Sequence, residues 1–155
     1  MKQFLLFISL FISIAGFTQV KLYRGDGKFD SDIAFTIDNG KVYHGDNRFS
    51  PVIYYTISNN KVYLGRSIST FDCLYTVKDN KVYKGDSNFS SDIIYTVEDG
   101  KVYRGNSTFS SACVLTIEDD AIYMGDYNFS SDLLFTMTGD DNLSLALLAC
   151  VVGPY

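Results

Sequence analysis

The chain has no tryptophan, a single histidine, three cysteines and no basic patch or tail. Without tryptophan, the aromatic cages of choline-binding modules cannot be assembled. The one histidine, His44, has no second partner in view for a Ser-His-Asp or Cys-His arrangement, so the chain does not read as an enzyme. A net charge of −5 with no clustered Lys or Arg argues against a nucleic-acid partner. Nothing in the sequence calls for a cofactor.

What the chain does have is repetition. The stretch KVYKGDSNFSSDIIYTVEDG, beginning at Lys81, recurs six times from Lys21 to Asp140, with a period of 20 and no insertion or deletion. Tyr holds repeat position 3 in every copy (Tyr23, Tyr43, Tyr63, Tyr83, Tyr103, Tyr123), Gly holds position 5 and Thr holds position 16. An unbroken period of this kind marks units that bury their apolar faces only against their neighbours.

Each period reads as one β-hairpin. Positions 13 to 17, as in Ile93, Ile94, Tyr95, Thr96 and Val97, are β-branched or aromatic, and positions 1 to 4 of the next copy form a second short strand. Between them stand Asn39-Gly40, Asn59-Asn60, Asp79-Asn80, Asp99-Gly100 and Asp119-Asp120, residues that tolerate the positive φ of a two-residue type I′ turn. That turn pairs Glu98 with Lys101 and Val97 with Val102.

The ends of the chain differ from the repeats. Residues 1–18 carry Lys2 and then an apolar run from Phe4 to Ala15, the pattern of a secretory signal peptide; an uncleaved anchor is the alternative. The expected location is therefore secreted or periplasmic, in a bacterial envelope. The domain reading is a signal segment at 1–18, a barrel at 19–140 and a C-terminal plug at 141–155.

Six repeats give twelve strands: consecutive copies make five hairpins, and a sixth pair of the last strand (Leu133 to Met137) with the first (Lys21 to Arg24) removes the exposed edges. With strands about 4.8 Å apart and tilted about 40°, the ring closes at a radius of roughly 12 Å. Inward side chains then leave a lumen about as wide as one α-helix. Leu143 to Val152 (LSLALLACVV) is apolar on nearly all sides and supplies that helix, with Asp140, Asp141 or Asn142 as its cap and Gly153-Pro154 as its stop. A thirteenth strand or an edge-covering tail are the alternatives. The fold class is all-β: a closed 12-stranded antiparallel barrel of six 20-residue hairpin repeats, plugged by a C-terminal hydrophobic helix.

The apolar positions 2, 13, 15 and 17 are assigned to the lumen, and Tyr at position 3, Thr at 16 and Gly at 5 to the outer face. Cys73 and Cys113, both at position 13, then line the lumen too far apart for a disulfide, and Cys150 lies on the helix. Buried, reduced thiols are the favoured reading.

The six Val/Ile/Leu-Tyr-x-Gly steps, such as Val82-Tyr83-Lys84-Gly85, with their Gly-Asp-Ser loops, resemble the β-flower repeat proteins from Lys21 to Asp140. The resemblance implies a shallow symmetric barrel of hairpin petals and no settled biochemical activity. The architecture is also similar to the Tubby-like fold, a likeness of geometry without a Tubby motif or a basic phosphoinositide pocket. Repeat three departs most, with Arg66 in place of Asp and its aromatic moved to Phe71.

Two sets of residues are candidates for binding. The six Tyr of position 3 would ring the outer face and suit a glycan or protein, unless they pack over Gly and the neighbouring strand. The loops place Asp86, Asn88 and Asp92, and again Asp126, Asn128 and Asp132, at alternate positions, a weak calcium pattern that lacks the Gly and Glu of an EF-hand. Side chains that bond their own loop are the competing explanation. The candidate partners are a membrane lipid, an apolar ligand or an envelope glycan. The leading expectation is an exported, non-catalytic module that takes an apolar or envelope-associated ligand at its barrel mouth. The alternative is an adhesion repeat that uses the Tyr ring.

Overall fold

The computed structural model describes residues 19–46, 52–139 and 143–153. The signal segment (1–18) and the proposed caps Asp140, Asp141 and Asn142 lie outside the described residues.

Twelve strands form one closed antiparallel barrel. They are β1 (Val20–Arg24), β2 (Ile33–Asp38), β3 (Lys41–His44), β4 (Ile53–Ser58), β5 (Lys61–Leu64), β6 (Cys73–Lys78), β7 (Lys81–Lys84), β8 (Ile93–Glu98), β9 (Lys101–Arg104), β10 (Cys113–Glu118), β11 (Ala121–Met124) and β12 (Leu133–Thr138). Each strand pairs with its neighbours in sequence, and β1 pairs with β12. Lys21 faces Thr138 as Lys101 faces Glu98, so the closing pair has hairpin register without a connecting turn.

The turns behave as their residues require. Asn59 and Asn60, Asp79 and Asn80, and Asp119 and Asp120 all take positive φ, as do Asn39-Gly40 and Asp99-Gly100. The right-handed strand twist selects that conformation. At the other end of the barrel, positions 5 to 12 form a loop that closes with a one-turn 3-10 helix, such as Ser90–Asp92. The barrel thus has a turn end and a loop end.

The inner face corrects one assignment. Position 2 is fully buried in all six copies (Leu22, Val42, Val62, Val82, Val102, Ile122), and positions 15 and 17 pack with it as expected. Position 13 does not. The register slips between positions 2 and 3 of one strand, so that Val62 faces Tyr75 while Tyr63 faces Cys73, leaving Leu74 as the extra residue of a β-bulge. The slip recurs at each junction of this kind, from Tyr23 opposite Ile33 to Tyr123 opposite Leu133. A one-residue slip turns the following side chains over. Position 13 therefore joins Tyr and Thr on the outer face, and position 14 (Ile94, Val114, Leu134) takes its place inside. Cys73 and Cys113 do not line the lumen. Their thiols contact Thr76 Oγ1 (3.9 Å) and the Gly125 carbonyl (3.4 Å), and all three cysteines are free.

The bulge is held from outside. The amide of Gly at position 5 donates to the carbonyl of the bulged residue in every repeat, as Gly85 does to Leu74 at 2.7 Å. At the five junctions within hairpins the Gly carbonyl in turn accepts from the Thr at position 16 of that strand, as Gly85 does from Thr76 at 2.8 Å. Positive φ at Gly85, which glycine adopts freely, lets both groups turn toward the strand of Leu74 and Thr76.

The helix α1 (Leu145–Val152) occupies the lumen, with residues 146–152 all buried. Ser144 caps it, its hydroxyl accepting from the Leu147 amide at 3.3 Å, so Leu143 and Ser144 precede the helix instead of opening it. At the other end the Gly153 amide closes on the Ala149 carbonyl at 3.0 Å. The helix runs from the turn end toward the loop end, where residues 149–153 meet the rim, and lies nearest β5 to β8.

Candidate functional site

The space around the end of α1 forms the mouth of the barrel. Position 4 is the last inward residue of its strand, because the hairpin register sets it opposite the inward position 15: Arg24 faces Phe135, His44 faces Phe35 and Arg104 faces Tyr95. The rim therefore carries Arg24, His44, Leu64, Lys84, Arg104 and Met124.

Below the rim lies a cavity of about 530 Å³, floored by residues 149–153 and walled by Phe35, Tyr54, Tyr55, Tyr75, Tyr95 and Phe135, with Arg24 and His44 at its edge. Its rings form a continuous arc. Phe135 meets Phe35 at 6.2 Å, and Phe35 meets His44 edge-on at 6.2 Å. His44 stacks on Tyr54 at 5.4 Å, and Tyr54 meets Tyr55 at 6.1 Å. A smaller apolar annex of about 90 Å³ adjoins it, lined by Val114, Leu115, Met124 and Leu134, and shares Phe135, Val152 and Gly153 with it. The size is that of a small-ligand site.

The mouth has a definite electrical character. Among the described residues that line the cavity, none is Asp or Glu. Three loop carboxylates are engaged on the outer wall: Asp46 pairs with Lys21 (3.4 Å), Asp86 with Lys61 (2.5 Å) and Asp126 with Lys101 (2.5 Å), whereas Asp26 and Asp32 line a surface groove beside Arg24. Those hydrogen bonds hold Lys61 and Lys101 above the usual lysine range. Burial raises Tyr75 and Tyr95, so both stay neutral hydroxyls. Burial also pushes the Cys150 thiol up to about 12, and its Sγ donates to the Ala146 carbonyl at 3.1 Å. A protonated, occupied thiol is a poor nucleophile.

The loops add an apolar fringe around this end. Phe29, Phe71, Phe89, Phe109 and Phe129 are 60–98% exposed, one in each described loop.

The residues singled out from sequence fall elsewhere. Tyr63, Tyr83 and Tyr103 are only 7–8% exposed, and Tyr23, Tyr43 and Tyr123 are partly buried, each ring packed on the outer wall opposite Thr. Of the calcium candidates, Asp86 and Asp126 pair with lysines, while Asp92 accepts from the Ser87 hydroxyl and Asp132 from Ser131 at 3.3 Å. Asn128 donates to Glu118 at 2.8 Å, and Asn88 is exposed. Among the described residues, no three His, Cys, Asp or Glu side chains converge as metal ligands. Because position 4 varies between repeats, the sequence marks His44 there as a solvent-facing or rim residue, which is where the structure places it, but not as part of a site. The signal for the site was present: the hairpin register alone sets position 4 beside the aromatic position 15.

A six-petalled hairpin barrel closed around its own C-terminal helix defines the class. The chain belongs to the family described as 6-fold beta flower proteins, whose model matches residues 22–149. No curated protein and no solved structure matches it.

Proposed function

We propose that this beta flower protein is an exported, non-catalytic binding module that takes an apolar, envelope-associated ligand into the loop-end mouth of its barrel. The observation that carries the reading is the cavity of about 530 Å³ over the end of α1, with its aromatic wall and adjoining apolar annex. The Phe fringe supports it, since it offers an apolar approach to the mouth. The capped, protonated Cys150 thiol and the ring-packed His44 favour binding over chemistry. Three Tyr rings of position 3 are buried and the other three partly buried, which favours the mouth over a glycan-binding Tyr ring.

Native mass spectrometry of protein purified from its own host tests the proposal. A co-purifying small molecule that is lost when Tyr75 is replaced by Arg, which would fill the cavity, is the expected result. Protein that never carries such a molecule, even after extraction without detergent, overturns it.

A further inference from the structure

The proposed mouth site is not uniform, and its asymmetry specifies more than an apolar ligand. On one side, Arg24 and His44 stand at the edge of the cavity, flanking the strand that carries Phe35. Lys84 and Arg104 occupy the equivalent rim positions further round, and no acidic residue takes position 4 in any repeat. Among the described residues, no carboxylate pairs with Arg24. On the other side, Val114, Leu115, Met124 and Leu134 line an annex without a charged group.

The protein as a whole carries a net charge of −5, so a basic inner rim is a local arrangement rather than a reflection of composition. Asp46, Asp86 and Asp126 pair on the outer wall with Lys21, Lys61 and Lys101, while Asp26 and Asp32 share a separate surface groove with the outer side of Arg24. The floor adds a direction. The C-terminal end of α1 presents the negative pole of the helix there, which disfavours an anion deep in the cavity and leaves the rim as its place.

We infer that the mouth binds an anionic amphiphile: an oxyanion head, carboxylate or phosphate, at Arg24 and His44, and an alkyl chain lying over Val152 toward Leu134 and Met124. Arg suits such a head because its planar donors match two oxygens at once. His44, held between Phe35 and Tyr54, is placed to donate one further hydrogen bond. This inference rests on the proposed mouth binding and adds the chemistry of the head and the direction of the chain.

Displacement of the neutral probe N-phenyl-1-naphthylamine from the full chain tests it, with palmitate, lyso-phosphatidylglycerol, hexadecanol and acetate as competitors. At least one of the two anionic amphiphiles should displace the probe at about one-tenth the concentration of hexadecanol, equivalent to about 1.4 kcal/mol, and acetate should not displace it. Which of the two is stronger tells a carboxylate head from a phosphate one. Arg24→Gln should remove the anionic preference and leave hexadecanol unchanged, whereas Lys101→Gln on the outer wall should change neither. Equal displacement by palmitate, lyso-phosphatidylglycerol and hexadecanol, or an Arg24→Gln variant that keeps the preference, overturns the head assignment while the mouth reading stands. Failure of every chain to displace the probe, or of the probe to bind, overturns both.

Discussion

The amide of Gly25 donates to the carbonyl of Leu134 at 2.8 Å, which joins the first petal to the last. Gly45, Gly65, Gly85, Gly105 and Gly125 make the same bond to the bulged residue of the strand beside them. Backbone closure is thus chemically identical to every internal junction. The turn end is different, because there the first and last strands meet without a connecting turn.

The crowding at that seam makes a first prediction. Gly139 has φ +103°, and a Cβ added there would come within 2.2 Å of the Gln19 carbonyl oxygen. At Gly125, with φ +80°, the same atom would meet open space. Gly139→Ala should therefore cost on the order of 2–4 kcal/mol, against about 1–2 kcal/mol for Gly125→Ala, where only the backbone conformation is strained. Urea unfolding of the two variants beside the parent measures the difference, and equal costs would show that the seam can relax.

A second prediction concerns the plug. Leu147 is buried within the barrel, so Leu147→Ala should cost roughly 2–5 kcal/mol through the cavity it leaves. Leu147→Asp puts a carboxylate among Val and Leu side chains without a partner and should prevent folding, or leave an open, aggregating ring. Thermal melts decide it: parent-like melting of both variants would mean the helix is not needed inside.

Alkaline pH gives a third. The Cys150 thiol ionises near 9.0 when unfolded but is held to about 12 in the barrel by burial. The folded state keeps its proton longer, so this contribution is fully present below pH 9 and is lost as pH rises toward 12, by at most about 4 kcal/mol. Tyr75 and Tyr95, raised by burial, act with the same sign above pH 10. Lys61 and Lys101, raised by their Asp partners, do so above pH 10.5. In Cys150→Ala, urea midpoints between pH 9 and 10 should fall less steeply than in the parent. Parallel profiles would remove the thiol from the account.

The Phe fringe supplies a fourth. Phe89 and Phe109 are exposed, so replacing both with Ser should leave unfolding within about 0.5 kcal/mol of the parent. Co-sedimentation with lipid vesicles should fall in the same variant if the fringe meets an apolar surface. Unaltered co-sedimentation would relieve these two rings of that role.

The period of 20 made most of this architecture legible before any coordinates. Turn residues such as Asn59-Asn60 fixed the hairpin register, and an all-round apolar segment of the right length named the plug. The bulge was harder, because Cys73 and Leu74 are both small and apolar, and pattern alone cannot say which of two such neighbours faces the core. Its marker was Gly85, whose positive φ and two backbone bonds make sense only beside an extra residue. The barrel mouth was legible as a place, but its residues were not: Arg24, His44 and Met124 occupy an inward position that varies from copy to copy, and position 14 varies as widely, from Ala34 to Tyr54.

The enclosed helix also acts as a gauge. A ring of such hairpins has no intrinsic reason to stop at six, since each junction is made by the same Gly amide bond to a bulged residue. Removing one petal would shrink the radius by about 2 Å and leave no room for α1, and adding one would loosen it by as much. A five-petal ring would exclude the buried Leu147 and a seven-petal ring would hold it loosely, so the width of the tail and the number of petals are matched to each other.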